Sequence, residues 1–186
     1  HSFFWHSGKT TPARRAVWRG FSSFPSPAAF FPVPSIRTVQ DHGVVEIMRG
    51  CPHGCRFCHA GIFYRPYRMK NSACIIREVE TLVHRKGYRE ITLSSLSSGD
   101  YSDLTALVRF LNDKHAGDFV SFSLPSLHLE TFGLQLLSEI SSTRKSGLTF
   151  AVETPDSGYQ LALNKKAPLD KIVSVLEEAG RLGWKS

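Results

Sequence analysis

Four cysteines occur in the 186-residue chain, at positions 51, 55, 58 and 74. Three of them share one short stretch, Cys51-Pro52-His53-Gly54-Cys55-Arg56-Phe57-Cys58, with C-x3-C-x2-C spacing. Three thiolates on one loop can hold three corners of a cubic iron–sulfur cluster and leave one iron open to a small molecule. Zinc is the rival metal. It prefers four nitrogen or sulfur ligands, and His53 or His59 can complete that set. An electron-transfer ferredoxin would take a fourth cysteine, but Cys74 falls on the apolar side of a helical pattern and reads as a small core residue. A disulfide framework calls for an even, dispersed set in a secreted chain. Clustered thiols point instead to a metal site in a reducing cell, so the expected location is the cytoplasm.

The elements that must position these thiols follow from hydrophobic periodicity. GVVEIMR (43–49) is a β-branched run that ends at Gly50 and the cysteine loop, and it reads as a strand. SACIIREVETLVHRKG (72–87) repeats apolar residues at helical spacing and stops at Gly87. EITLSSLSS (90–98) is a second strand. SDLTALVRFLNDKHAG (102–117) is a second helix, with Ser102 or Asp103 as its N-cap. DFVSFSLPS (118–126) and Leu129–Ser141 repeat the unit. GLTFAVET (147–154) is a fourth strand, followed by helical pieces around Tyr159–Asn164 and Leu169–Leu182. The expected fold class is therefore α/β, with about four βα units on a parallel sheet that curls into part of a TIM-like barrel. About four units are too few to close such a barrel, which takes roughly six to eight strands.

In such folds chemistry gathers at the carboxyl ends of the strands. Here those ends carry Gly50-Cys51, Ser97-Ser98-Gly99-Asp100, Pro125-Ser126 and Glu153-Thr154. His42, His84, His115 and His128 show no cluster spacing and are expected on surfaces or helix ends. Arg65, Tyr67 and Arg68 are expected on a solvated loop.

Composition bounds the rest. Hydrophobic residues make up 41% and charged residues 21%, which excludes a disordered tail, and no apolar stretch approaches the ~20 residues of a membrane helix. The net charge of +7 comes from dispersed basic residues, with no uninterrupted run of the kind that marks a nucleic-acid arm. Nucleic acid stays open as a partner but is unsupported. Residues 1–42 lack a sustained period and carry Pro25, Pro27, Pro32 and Pro34, so they read as an irregular linker that lays its phenylalanines on a neighbouring domain. The chain starts at His1 without a secretory pattern, and it stops where an α/β protein would turn into its next strand. It reads as a piece of a longer protein.

The C-x3-C-x-aromatic-C motif, with Phe57 as the aromatic, resembles the radical S-adenosylmethionine superfamily. MRGCPHGCRFCHAGIFYRPYR (48–68), LSSLSSGDYSDL (93–104), SFSLPSLH (121–128) and GLTFAVET (147–154) are together similar to a narrower group within it. Members of that group carry a cobalamin-binding domain before the barrel, so residues 1–42 would be the end of, or linker from, such a domain, and 43–186 an incomplete radical SAM core.

The resemblance implies that Cys51, Cys55 and Cys58 ligate a [4Fe-4S] cluster whose open iron chelates S-adenosylmethionine. It places Phe57 beside the adenine and puts Ser97, Ser98, Gly99 and Asp100 where the superfamily often has a Gly-Gly-Glu segment for the methionine amino group. Glu153 matches a polar position near the methionine or ribose, and Ser123 and Ser126 are ribose candidates. The implied reaction is reductive cleavage to a 5′-deoxyadenosyl radical for a modification or methyl transfer on an unknown substrate. A flavodoxin- or ferredoxin-type protein would supply the electron. Cobalamin use is inherited from the resemblance alone, since the Asp-x-His-x-x-Gly pattern is absent. The alternative is a non-catalytic zinc or iron–sulfur binding module.

Overall fold

The structure is a computed structural model that describes residues 15–24, 35–36, 38–39, 41–141 and 147–184. Its elements in chain order are β1 (Gly43–Glu46), β2 (Met48–Arg49), α1 (His59–Phe63), β3 (Arg68–Met69), α2 (Ser72–Glu80), β4 (Glu90–Ser94), α3 (Leu104–Lys114), β5 (Ser121–Ser123), α4 (Leu134–Ser141), α5 (Ser157–Leu163) and α6 (Leu169–Arg181). Three strands form a parallel sheet in the order β1-β4-β5, with Val45 opposite Leu93 and Ile91 opposite Phe122. A short antiparallel ribbon pairs β2 with β3, Met48 opposite Met69.

Alternation along β1 and β4 puts Val45, Ile91 and Leu93 inside, and the helices cover them. Helix α2 opens with Asn71, whose side-chain oxygen accepts the Ala73 N–H at 3.0 Å and so caps the helix. It buries Cys74, Ile75 and Val79 against the sheet, which places Cys74 in the core as its helical position indicates. Helix α3 buries Leu104, Leu107, Val108 and Leu111, a stripe at helical spacing. Each such side chain, fully buried, is worth about 1.5–3 kcal/mol. The N-cap position of α3 is Asp103, but it takes φ 56° and its side chain makes no capping bond. After Glu80 the helix widens into a π-helical turn, Thr81–Arg85, that keeps Leu82 and Val83 buried.

The fourth unit departs from expectation at its strand. Among the described residues, 147–154 makes no ladder with β5, although Leu148, Phe150 and Val152 still face the core in alternation. Phe150 packs edge-on to Phe132 with ring centroids 5.0 Å apart. The ladder has little to extend from: β5 has three residues, and Pro125 lacks the N–H that would lengthen it. Helices α5 and α6 follow as expected. Helix α4 begins at Leu134 rather than at 129, because Thr131 and Phe132 donate their N–H groups to the His128 carbonyl in a turn.

Part of the expected linker packs against this fold. Residues Gly20–Ser23 form a 3-10 turn that buries Phe21, and the Asn71 N–H donates to the Ser22 carbonyl at 2.9 Å. The proline-rich stretch 25–34 lies outside the described residues. Among those described, no helix is long and apolar enough to cross a membrane.

Candidate functional site

The cysteine loop leaves β2 through Gly50, whose φ is 84° and whose added Cβ would lie 2.6 Å from the Tyr64 carbonyl oxygen. Left-handed backbone and close approach together require glycine there. Cys51, Cys55 and Cys58 are all partly exposed. Cys58 caps α1: its Sγ accepts the Gly61 N–H at 3.3 Å, and its own N–H donates to the Cys55 carbonyl at 3.1 Å.

A distant helix holds the loop from the other side. The Arg56 N–H donates to the Leu163 carbonyl at 2.9 Å, and its guanidinium donates to the carbonyls of Leu161 (3.1 Å) and Ala162 (2.6 Å). These carbonyls lie at the carboxyl end of α5, where helix carbonyls run short of intrahelical partners and attract a cation; that of Leu161 also accepts the Asn164 N–H at 3.1 Å. Asn164, in the left-handed conformation that ends α5, returns a bond from its amide to the Gly54 carbonyl at 3.0 Å. Arg65 adds bonds to the carbonyls of Gly61 (3.2 Å) and His53 (3.3 Å).

The strand ends converge on this loop. His53 Nε2 donates to Asp100 Oδ2 at 2.7 Å, and the Ser97 hydroxyl donates to the same oxygen at 2.6 Å. The Ser98 N–H donates to the Ser126 carbonyl at 2.7 Å, which joins the turn after β4 to the end of β5. Ser98 itself is buried, with its hydroxyl 2.9 Å from that of Ser95. Gly99 sits where a Cβ would meet Thr131 Oγ1 at 2.8 Å. The Ser123 hydroxyl is engaged across the sheet with Thr92 at 2.9 Å. Glu153, at φ 67°, pairs with Lys165 at 2.7 Å, and the Lys165 ammonium lies 5.7 Å from the centre of the Phe57 ring. Lys165 thus lies between Phe57 and Glu153, two residues expected beside the cofactor.

Burial pushes the Cys51 thiol up, and the neighbouring Asp100 carboxylate and the other thiols add to that. The Cys55 thiol is also raised by burial, against the pull of Lys165. Thiols so placed bind metal with loss of their protons.

Of the histidines expected on surfaces or helix ends, His115 does end α3, while His128 corrects the expectation. His128 is buried and stacks on His53, with ring centroids 3.9 Å apart and planes 8° from parallel. Burial, and then His53, lowers its pKa, and its Nε2 has no hydrogen-bond partner. His115 is likewise buried. The roles of Asn164, His128 and Lys165 were not foreseen, because no local spacing links them to the cysteines, and that of Arg56, inside the motif, depends on partners more than 100 residues away. The one available signal was the position of His128 three residues beyond Pro125, just past a strand end.

Three thiols thus lie on the carboxyl-end face of a parallel α/β sheet, with small polar residues from the adjoining strand ends around them, which makes this an α/β protein with its candidate site at the strand ends. Residues 45–186 match the family model described as the Radical SAM superfamily, and the chain belongs to that superfamily. It is 28% identical over 140 residues to the uncharacterized protein MJ0966 of Methanocaldococcus jannaschii, covering 75% of this chain and 30% of that protein. Its fold is similar to two structures of the radical S-adenosylmethionine methyltransferase TsrM from Kitasatospora setae. The one with cobalamin and [4Fe-4S] cluster bound gives a TM-score of 0.64 at 10% identity, covering 76% of this chain and 29% of that one. The one with tryptophan substrate and a SAM analogue gives 0.63 at 10% identity, covering 76% and 28%. The chain therefore spans under a third of the length of the proteins it matches.

Proposed function

We propose that Cys51, Cys55 and Cys58 hold a [4Fe-4S] cluster whose fourth iron takes S-adenosylmethionine, and that the full-length protein is an enzyme of radical modification or methyl transfer. When bound, the cluster supplies the electron that cleaves S-adenosylmethionine to methionine and a 5′-deoxyadenosyl radical. The observation that carries this reading is the C-x3-C-x2-C spacing of three partly exposed thiols on one loop, supported by the match of residues 45–186 to the Radical SAM superfamily model. Three thiolates leave one corner of a cubic cluster open to a small molecule, whereas a structural zinc takes four protein ligands.

The residues of the chain then have distinct tasks. Gly61 donates its N–H to a ligand sulfur, which tunes the electron density on it. Asp100 holds the loop through His53, while Ser97, Ser98, Gly99 and Asp100 present strand-end backbone to the methionine moiety. Phe57 lies beside the adenine, and Glu153 and Ser126 face the ribose or methionine. Ser123, bonded to Thr92, sets the end of β5. A flavodoxin- or ferredoxin-type reductant, a cytoplasmic location and cobalamin in the full-length protein accompany this reading, and the likeness to the cobalamin-bound methyltransferase supports the last of these.

The test is anaerobic reconstitution of the full-length protein beside a Cys55→Ala variant. The reading requires about four irons and about four sulfides per chain, lost in the variant, with 5′-deoxyadenosine formed from S-adenosylmethionine and dithionite. One zinc per chain with no sulfide would leave a structural metal module instead.

A further inference from the structure

A second group of ligand-type side chains lies at the opposite end of the sheet, ahead of β4 and β5. His84 belongs to the π-helical turn after α2, His115 follows the last residue of α3, and Asp118 closes the 3-10 turn Ala116–Asp118 that leads towards β5. One ligand atom from each lies within 4.8 Å of the other two. His115 Nδ1 is 3.0 Å from Asp118 Oδ2, and His84 Nε2 is 4.0 Å from that same oxygen.

Three further features bear on what this group can do. The π-helical turn keeps Leu82 and Val83 inside while exposing His84, and such turns recur at functional positions. His115 is held in one orientation by burial. Its Nε2 has no hydrogen-bond partner, so nothing on that side fixes which nitrogen carries the proton. A cation takes the Nδ1 lone pair of the tautomer whose proton sits on Nε2, and the Asp118 carboxylate turns from Nδ1 to the cation.

We propose that His84, His115 and Asp118 form a site for a borderline divalent transition-metal ion such as zinc, completed by water. Two imidazoles and one carboxylate suit zinc, cobalt or nickel better than calcium or magnesium, which prefer oxygen. Glu80 lies near enough to feel both histidines and adds negative charge, although it is paired with Lys114. The positive charge of Arg89 also acts on Asp118 and limits the affinity. The amino-terminal ends of barrel strands serve stability rather than chemistry, so the ion acts as a clip between the end of the first long helix and the end of the second. This site is independent of the cysteine loop and of the function proposed for it.

Cobalt(II) is the probe, because thiolate ligation adds strong sulfur-to-metal charge-transfer absorption that a nitrogen and oxygen site lacks. The full-length protein is titrated beside His84→Ala and Asp118→Asn, both at exposed or half-buried side chains that the fold does not depend on. The expected result is one equivalent of cobalt with d–d bands free of charge-transfer absorption, beyond any held with charge transfer by the cysteine loop, and a melting temperature raised by cobalt or zinc. Cobalt affinity should weaken at least about tenfold in each variant, the smallest loss seen when even an outer partner of a metal ligand is removed, and the rise in melting temperature should shrink with it. Binding that is unchanged in both variants, cobalt bound by thiolate alone, or no metal-dependent rise in melting temperature would each overturn the proposal.

Discussion

His53 Nε2 lies 2.7 Å from Asp100 Oδ2 although the two residues are 47 positions apart, and this bond ties the cysteine loop to the end of β4. The contact is largely shielded from solvent, and His128 stacks on the far face of the imidazole, so the ring has little freedom to leave. Geometry at the thiols therefore depends on a residue of the neighbouring strand end.

Breaking that tie should loosen the loop without unfolding the sheet. Asp100→Ala and His53→Ala are each expected to lower iron retained per chain several-fold with unchanged far-UV circular dichroism. Because they remove the same bond, the double variant should be no worse than the poorer single one. Additive losses, or full iron retention in all three, would show that the bond does not position the loop.

The clamp from α5 offers a second test. Arg56→Gln keeps the backbone bond to Leu163 but removes the guanidinium from the carbonyls of Leu161 and Ala162. Asn164→Gly keeps the left-handed turn and removes the bond to Gly54. Both should speed hydrogen exchange in residues 54–58 and 157–164 together, at a cost of about 0.5–1.5 kcal/mol each. Faster exchange confined to one of the two segments would contradict a clamp.

Phe21 is enclosed by cations: the Arg49, Arg68 and Lys70 side chains lie 5.0, 5.8 and 5.9 Å from the centre of its ring. Phe21→Ala is expected to cost about 3–5 kcal/mol by urea unfolding, the usual loss for a buried phenylalanine. Phe21→Leu should recover most of the burial but not the roughly 0.5–2 kcal/mol of cation–ring attraction. A neutral Phe21→Ala would mean that the segment before residue 24 is not part of the core.

Lys70 and Glu78 form a buried ion pair at 2.7 Å. Burial raises the Glu78 carboxyl above its usual 4.5, with Lys70 opposing. The native carboxyl thus keeps a proton at pH values where the unfolded chain has lost it. Stability from this group is full below 4.5 and falls as pH rises through the native value. Glu78→Leu alone leaves a buried ammonium and should cost about 3–5 kcal/mol, whereas Lys70→Met with Glu78→Leu should be neutral or stabilising by about 1–4 kcal/mol. The advantage of the double variant over the parent should grow from pH 4 towards pH 7 in urea unfolding. An advantage that shrinks over that range would reverse the sign of this argument.

The sequence by itself determined what depends on near neighbours. The thiol spacing, the β-branched run before it, and the apolar stripes of α2, α3 and α6 are local patterns, and each formed where the pattern lay. The strand expected over 147–154 did not, because a strand needs a partner edge as well as alternation, and β5 offers three residues. Tertiary structure alone decided which polar groups meet the cysteine loop. Arg56 reaches carbonyls more than 100 residues away, His53 finds Asp100, His128 comes to lie on His53, and Lys165 joins Glu153 to Phe57. Such pairings carry no period and no fixed spacing. They arise because the parallel sheet brings the ends of β4 and β5 to the same side as the end of β2, where buried and half-buried polar groups must find partners wherever the chain supplies them.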